Sequence, residues 1–219
     1  MTGTRLTRST RKLTEAGGAL DLGPDRTRLA TRIFQLLAEG HPVTRARADQ
    51  TVAELGIDPD QARQLLDSWT ERNDAGDIVG LGVTLNPTPH QMTIAGTRTW
   101  AWCALDTMIL AIILDRPIDV ASTAPGAGEV VRLQARPGGV GAIHPADAAI
   151  TWPARRANQV DLGSTSGIWA TFCHHSSFFG SHDAAEQWAA GRDDIEILTP
   201  AEGFTVAREM ANAWLRYEP

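Results

Sequence analysis

The stretch Thr99–Leu114, TWAWCALDTMILAIIL, is a run of sixteen residues with one charge, Asp106. Read as a helix, it places Ala101, Ala104, Leu105, Met108, Ile109 and Ile112 around most of its circumference, so it has almost no face to give to water. A membrane span needs roughly 18 or more uncharged residues, which this segment lacks, so the expectation is a core helix with chain packed on several sides. What surrounds it decides the fold. Upstream, Gln91–Ala95 has strand character and Gly96–Arg98 reads as a turn. Downstream of Pro117 come short β-type runs separated by Gly and Pro: Ile118–Ala121, Val130–Ala135, Gly139–Ile143, Ala149–Trp152 and Ile168–His174. Strands in succession with no helices between them predict an antiparallel, meander-like sheet and an α+β class. Asp183 is expected to cap a short helix through Ala190, Ile195–Leu198 is a further strand, and Thr199-Pro200 opens an amphipathic helix ending near Leu215.

Toward the N-terminus, helical periodicity begins at Asp25, with Leu29, Ile33, Leu36 and Leu37 on one stripe and Gly40 closing it. A second helix follows the cap Thr44 and ends at Gly56. A third follows the cap Asp58, with Pro59 at its first position and Ala62, Leu65, Leu66 and Trp69 as its apolar face. The cluster Asn73–Asp77 is a turn, and Ile78–Leu85 reads as a strand. Three helices followed by a hairpin outline a winged helix, so the expected organisation is a mobile tail at 1–23, a winged-helix-like domain at 24–86, and an antiparallel β-rich catalytic domain with flanking helices at 87–219.

That outline raises the question of DNA binding, in which the third helix enters the major groove. Asp58, Asp60, Asp67 and Glu71 against Arg63 and Arg72 make this helix net acidic, which repels phosphate. The whole chain carries a net charge of -6, with nine basic and five acidic residues in positions 1–50 and the acidic excess elsewhere. Neither a nucleic-acid partner nor a membrane is expected. The basic first residues lack the apolar run of a secretory signal, so a cytoplasmic location is expected. Nineteen Arg against one Lys, and seven Trp against one Tyr, decide nothing about function.

Two segments could carry chemistry. In a helix, Cys103 and Asp106 share a face with Cβ atoms about 5–6 Å apart. A carboxyl among apolar residues either finds donors or keeps its proton near neutrality with a raised pKa, so it could act on the thiol or donate as an acid. Equally, Cys103 could be a small core residue and Asp106 a capping or Arg-paired group. In Phe172–Phe179, strand alternation would put Cys173, His175 and Ser177 on one face and Phe172, His174 and Ser176 on the other. A thiol and an imidazole on one face could bind a soft metal or form a nucleophile and base, or the histidines could be half-exposed residues at a strand end. With only Cys103 and Cys173 in 219 residues, neither a disulfide scaffold nor a zinc knuckle is expected.

Together the two segments resemble the organomercurial (alkylmercury) lyase family. The string Trp100-Ala101-Trp102-Cys103-Ala104-Leu105-Asp106-Thr107 matches a family helix. Phe172, Cys173, a histidine at 174 or 175, Phe178 and Phe179 match a later family segment. The likeness extends from about Leu29 to the C-terminal helix, including the strand Gly80–Leu85 and the Trp188 helix. It implies protonolysis of the carbon–mercury bond by two cysteines and one aspartate, carried here by Cys103, Cys173 and Asp106, with mercury held as substrate and product by the same three residues. It implies Trp102, Phe172 and His175 around the substrate, no cofactor, cytosolic thiols to release the product, and a hand-off to mercuric reductase. Some relatives carry further cysteines where this chain has Ala124 and His174. Two other readings use the same residues: a metal-responsive winged-helix regulator, which needs a basic recognition helix, and a redox protein cycling a Cys103–Cys173 disulfide, which gives Asp106 no role.

Overall fold

The computed structural model describes residues 22–126, 128–153 and 161–217, so the tail expected at 1–23 lies, up to residue 21, outside the described residues. Among the described residues, helices α1 (Pro24–Leu37), α2 (Arg45–Leu55) and α3 (Pro59–Trp69) come first. Their caps are those the sequence predicts: Thr44 Oγ1 accepts from the Arg47 amide at 3.2 Å, and Asp58 accepts from the Gln61 amide at 2.9 Å. Gly56 ends α2 in the left-handed region, at φ 65°, where a side chain would be strained.

Two short strands, β1 (Glu71–Arg72) and β2 (Ile78–Leu81), lead into β3 (Val83–Thr84). The single strand expected over Ile78–Leu85 is therefore broken at Gly82, where φ is +64° and Leu81 pairs back on Val83. Next, β4 (His90–Ile94) and β5 (Thr97–Ala101) form a hairpin closed by Ala95 and Gly96, both at positive φ (49° and 86°), a two-residue turn whose twist suits the strands. Thr97–Ala101 is thus strand, where the sequence suggests a turn followed by helix. The β-branched and aromatic residues Thr97, Thr99 and Trp100 fit a pleated surface; β4 pairs along the whole of β5, and β3 pairs from the other side with Trp100 and Ala101. The apolar helix starts only at Ala104: α4 spans Ala104–Ile113.

Strands β6 (Ile118–Thr123), β7 (Val130–Arg136) and β8 (Gly139–His144) complete an eight-stranded antiparallel sheet in the order β1-β2-β3-β5-β4-β6-β7-β8. In β6 and β7 every second residue is buried, which marks one face as core and the other as solvated. A second sheet places β9 (Ala149–Pro153) between β10 (Phe178–Phe179) and β11 (Ile195–Leu198), and β9 is buried along its whole length. The strand expected over Ile168–His174 is instead helix α5 (Thr165–Thr171) followed by a 3-10 turn at Cys173–His175. Ser164 initiates α5 by accepting the Gly167 amide at 3.1 Å, and this local cap overrides the β-type composition of Ile168, Thr171 and Phe172. Ser181, one position before the first residue of α6 (His182–Ala189), caps that helix, and Asp183 sits in its first turn. The last helix, α7 (Pro200–Leu215), opens with a capping box between Thr199 and Glu202.

Helix α4 packs on β4–β7 on one side and on α7 on the other, and α7 continues onto β8, β9 and β11. Buried side chains of α1–α3, the large sheet, α4 and α7 form one continuous apolar cluster. The N-terminal helices and the later strands therefore share a core, and a cavity is left in it at the N-terminal end of α4. Among the described residues no helix is long and apolar enough to cross a membrane.

Candidate active site

The cavity holds about 110 Å3 and is walled mostly by aromatic and aliphatic side chains, with Cys103, Asp106, Cys173 and Ser176 as its chemically distinct members. One ligand atom from each of Cys103, Asp106 and Cys173 lies within 4.8 Å of the others. Both cysteines are buried free thiols.

The convergence is built from backbone needs. A helix starts with four amide N–H groups that have no partner inside it. In α4 the Cys103 amide donates to the Asp106 carboxylate at 3.1 Å, and the Asp106 amide meets the Cys103 side chain in return, a capping box with sulfur in place of a hydroxyl. The other two amides reach across the fold: Ala104 N donates to the Ser176 carbonyl at 3.1 Å, and Leu105 N donates to Ser176 Oγ at 3.1 Å. Ser176 is three residues after Cys173, so these bonds seat the turn carrying Cys173 on the helix end that carries Cys103. Thr151 holds the turn from the opposite side. Its hydroxyl donates to the His175 carbonyl at 2.8 Å and accepts the Ser177 amide at 3.0 Å, locking the segment to β9. Sequence reading missed Ser176 because its role lies in contacts 71 residues apart.

Burial raises the Asp106 carboxyl from 3.8 to about 6, against its two hydrogen bonds with Cys103, which favour the charged form. The rise is in the direction that the sequence suggests, and it brings the carboxyl into the range where it can both accept and give a proton near neutrality. The Cys173 thiol is pushed up by its hydrogen bond with Cys103, then by burial and by the electrostatics of its neighbours, Asp106 and Glu71 among them. The positive end of the α4 dipole faces this cluster and favours the negative charge gathered there.

Of the residues expected around a substrate, Trp102 and Phe172 line the cavity. The indole N–H of Trp102 is buried with no hydrogen-bond partner in the structure. His175 does not line the cavity: its Nε2 lies 3.0 Å from the Ala170 carbonyl, across the corner between α5 and the 3-10 turn. With no strand there, the shared face of Cys173, His175 and Ser177 does not exist. His174 is exposed and stands edge-on to Trp169, with ring centres 5.4 Å apart. Ala124 is buried beside Ala149, Phe179 and Ala185, outside the cavity. The N-terminal region supplies further wall residues, Phe34, Trp69 and Leu81. Trp69 is fixed there by donating its indole N–H to the Leu162 carbonyl at 2.7 Å.

Two outcomes follow for stability. Ser176→Ala leaves the buried Leu105 amide without its acceptor, a loss of about 1–3 kcal/mol. Calorimetry should show the melting temperature falling by roughly 2–10 °C, and an unchanged value would mean that Oγ does not hold the helix end. For Asp106, a carboxyl raised from 3.8 to about 6 binds its proton more tightly folded than unfolded. Folding therefore weakens as pH rises between those values, and the full penalty stands above about 6. Asp106→Asn removes that penalty, so the variant should gain up to about 3 kcal/mol over the parent at pH 7–8 and nothing at pH 4. Denaturant titration at both pH values checks this, and a gain confined to pH 4 would reverse the assignment.

The sequence profile of the alkylmercury lyase family matches residues 83–212. An alkylmercury lyase of Streptomyces lividans is 33% identical over 206 residues, covering 93% of this chain and 91% of the relative. One from Staphylococcus epidermidis is 30% identical over 188 residues, covering 85% and 81%. One from Pseudomonas putida is 28% identical over 189 residues, covering 85% and 84%. In fold, the chain is similar to the crystal structure of the mercury-bound form of MerB2, with a TM-score of 0.73, 21% identity, and coverage of 96% of this chain and 99% of that one. The alignments and the profile span both the α4 segment and the Cys173 turn, and on them the chain belongs to the alkylmercury lyase family.

Proposed function

We propose that the protein cleaves the carbon–mercury bond of alkyl and aryl mercury compounds by protonolysis, releasing a hydrocarbon and Hg(II), in a mercury-detoxifying role. The observation that carries this reading is the meeting of two thiols and one carboxyl within 4.8 Å at the end of an apolar cavity. Mercury is a soft cation that prefers thiolate sulfur, and the apolar walls suit an organic group. As Cys103 and Cys173 bind mercury, their protons leave. One passes to the Asp106 carboxylate and the other departs with the ligand that mercury brought. Two thiolates raise the electron density on mercury and weaken its bond to carbon. Asp106 then returns its proton to the carbon as that bond breaks, and its electron pair becomes the new C–H bond. The balance is one mercurial and two thiols giving one hydrocarbon, one bis-thiolate Hg(II) and the conjugate acid of the departing ligand.

In this reading no resident cofactor takes part. A small cytosolic thiol removes the Hg(II), and mercuric reductase is the onward acceptor in the cytoplasm. Residues 24–86 act as a winged-helix-like structural module, contributing Phe34, Trp69 and Leu81 to the cavity wall, and residues 87–219 supply the reacting groups. Trp102 and Phe172 contact the organic group, and His175 supports the Cys173 turn. A metal-responsive regulator fits poorly. The family match is to a lyase, and α3 is acidic, with its Arg63 paired to Asp60 and the neighbouring Arg72 paired to Asp67.

Methylmercury with excess external thiol is the direct test. The parent protein should release methane and Hg(II). Cys103→Ser and Cys173→Ser should each abolish release, since oxygen is a poor ligand for a soft cation. Asp106→Asn should bind the mercurial, seen by mass spectrometry, yet release methane at least about 10²-fold more slowly. His174→Ala and His175→Ala should lose several-fold at most. Near-normal release from either serine variant would overturn the two-thiolate reading, and near-normal release from Asp106→Asn would overturn the proton relay.

A further inference from the structure

The cavity is small for an enzyme whose substrates carry organic groups of very different size. An apolar cavity of about 150 Å3 is what a benzene ring occupies in a protein core, and here about 110 Å3 must take both the organic group and part of the mercury. A methyl or ethyl group fits that space, but a phenyl ring needs a wall to move.

The walls are not equally free to do so. Trp102, Trp152 and Phe172 are buried in the main core, and the Trp102 backbone is further held by donating its N–H to the Gly82 carbonyl at 3.0 Å. Trp69 is buried and tied to Leu162. Phe34 lies directly over Gly82, so closely that a Cβ there would stand 3.1 Å from Phe34 Cε1, and it cannot retreat in that direction. Trp214 differs: it alone among the aromatic side chains lining the cavity keeps partial exposure. It sits at the end of α7, stacked on Phe34 with ring centres 5.2 Å apart and an interplanar angle of 12°. One turn earlier, the half-exposed Met210 also lines the cavity, and its unbranched side chain adapts readily to a changed neighbour.

We infer that Trp214, closed on Phe34, is the movable wall of the cavity and the residue that sets its selectivity between small alkyl and aryl mercurials. Alkyl groups enter with the stack closed. An aryl group displaces Trp214 outward and takes its place against Phe34. The inference rests on the lyase reading, which supplies the substrate class.

The test compares kcat/KM for phenylmercury and methylmercury in the parent and in Trp214→Ala, with calorimetry to confirm folding. Dividing the phenyl-to-methyl ratio of the variant by that of the parent cancels the intrinsic difference in bond reactivity. The ratio should rise roughly tenfold or more in Trp214→Ala, chiefly through KM for phenylmercury. Trp214→Leu, which keeps more of the packing, should shift it in the same direction by less. A ratio unchanged in either folded variant, or one that falls, overturns the inference. Competition between the two mercurials in the Asp106→Asn background, with and without Trp214→Ala, keeps the organic group on the protein-bound adduct, and mass spectrometry then reads the size selection without turnover. If the parent releases no hydrocarbon, the lyase reading fails, and the adduct ratio still decides whether Trp214 selects by size.

Discussion

Ser176 is the point on which the site depends. A helix end buried in an apolar core has amide donors that must be met from somewhere, and α4 meets two of them with the carbonyl and hydroxyl of one residue from a distant turn. That solution satisfies a folding requirement and, by the same bonds, fixes the distance between Cys103 and Cys173. The remaining two donors are met by Cys103 and Asp106 acting on each other. Two of the three residues proposed to react, Cys103 and Asp106, thus also begin the helix, and the turn that carries Cys173 is bonded to that helix end, so their positions are set by backbone geometry and not by flexible side-chain packing alone.

The apolar surroundings do a second thing. Burial opposes charge on Asp106 and, through the thiol–thiol hydrogen bond as well, on Cys173, so the cluster holds fewer charges than three separate acids would. In the proposed reaction a cationic mercury centre relieves that strain by accepting two thiolates, an advantage for the soft cation beyond its intrinsic preference for sulfur. The cost falls on stability at neutral and alkaline pH, a trade often seen where function needs a group in an unfavourable protonation state.

What the sequence made legible was local. The caps at Thr44, Asp58 and Thr199 are each written within four residues, and the Cys103–Asp106 pairing depends on a spacing of three. The start of α4 was misread because Thr99–Ala101 is apolar enough for either state, and only β3 and β4 on either side make it a strand. The turn at Cys173 was misread because Ile168, Thr171 and Phe172 have strand propensity, while Ser164 and the contacts of Ser176 and Thr151 impose helix and turn. Cys173 itself entered through family resemblance, since no spacing rule links it to Cys103. Ser176, Phe34 and Trp214 reach the site from three separate parts of the chain, and no periodicity could bring them together.

The proposed reaction leaves one mercury ion held by both thiols at the end of α4 after its carbon is lost. X-ray absorption at the mercury edge, on protein treated with one equivalent of methylmercury and no external thiol, measures this directly. Mercury should then have two sulfur neighbours from a single protein molecule and no carbon neighbour. Mercury with one sulfur and its carbon still attached would contradict the proposed reaction.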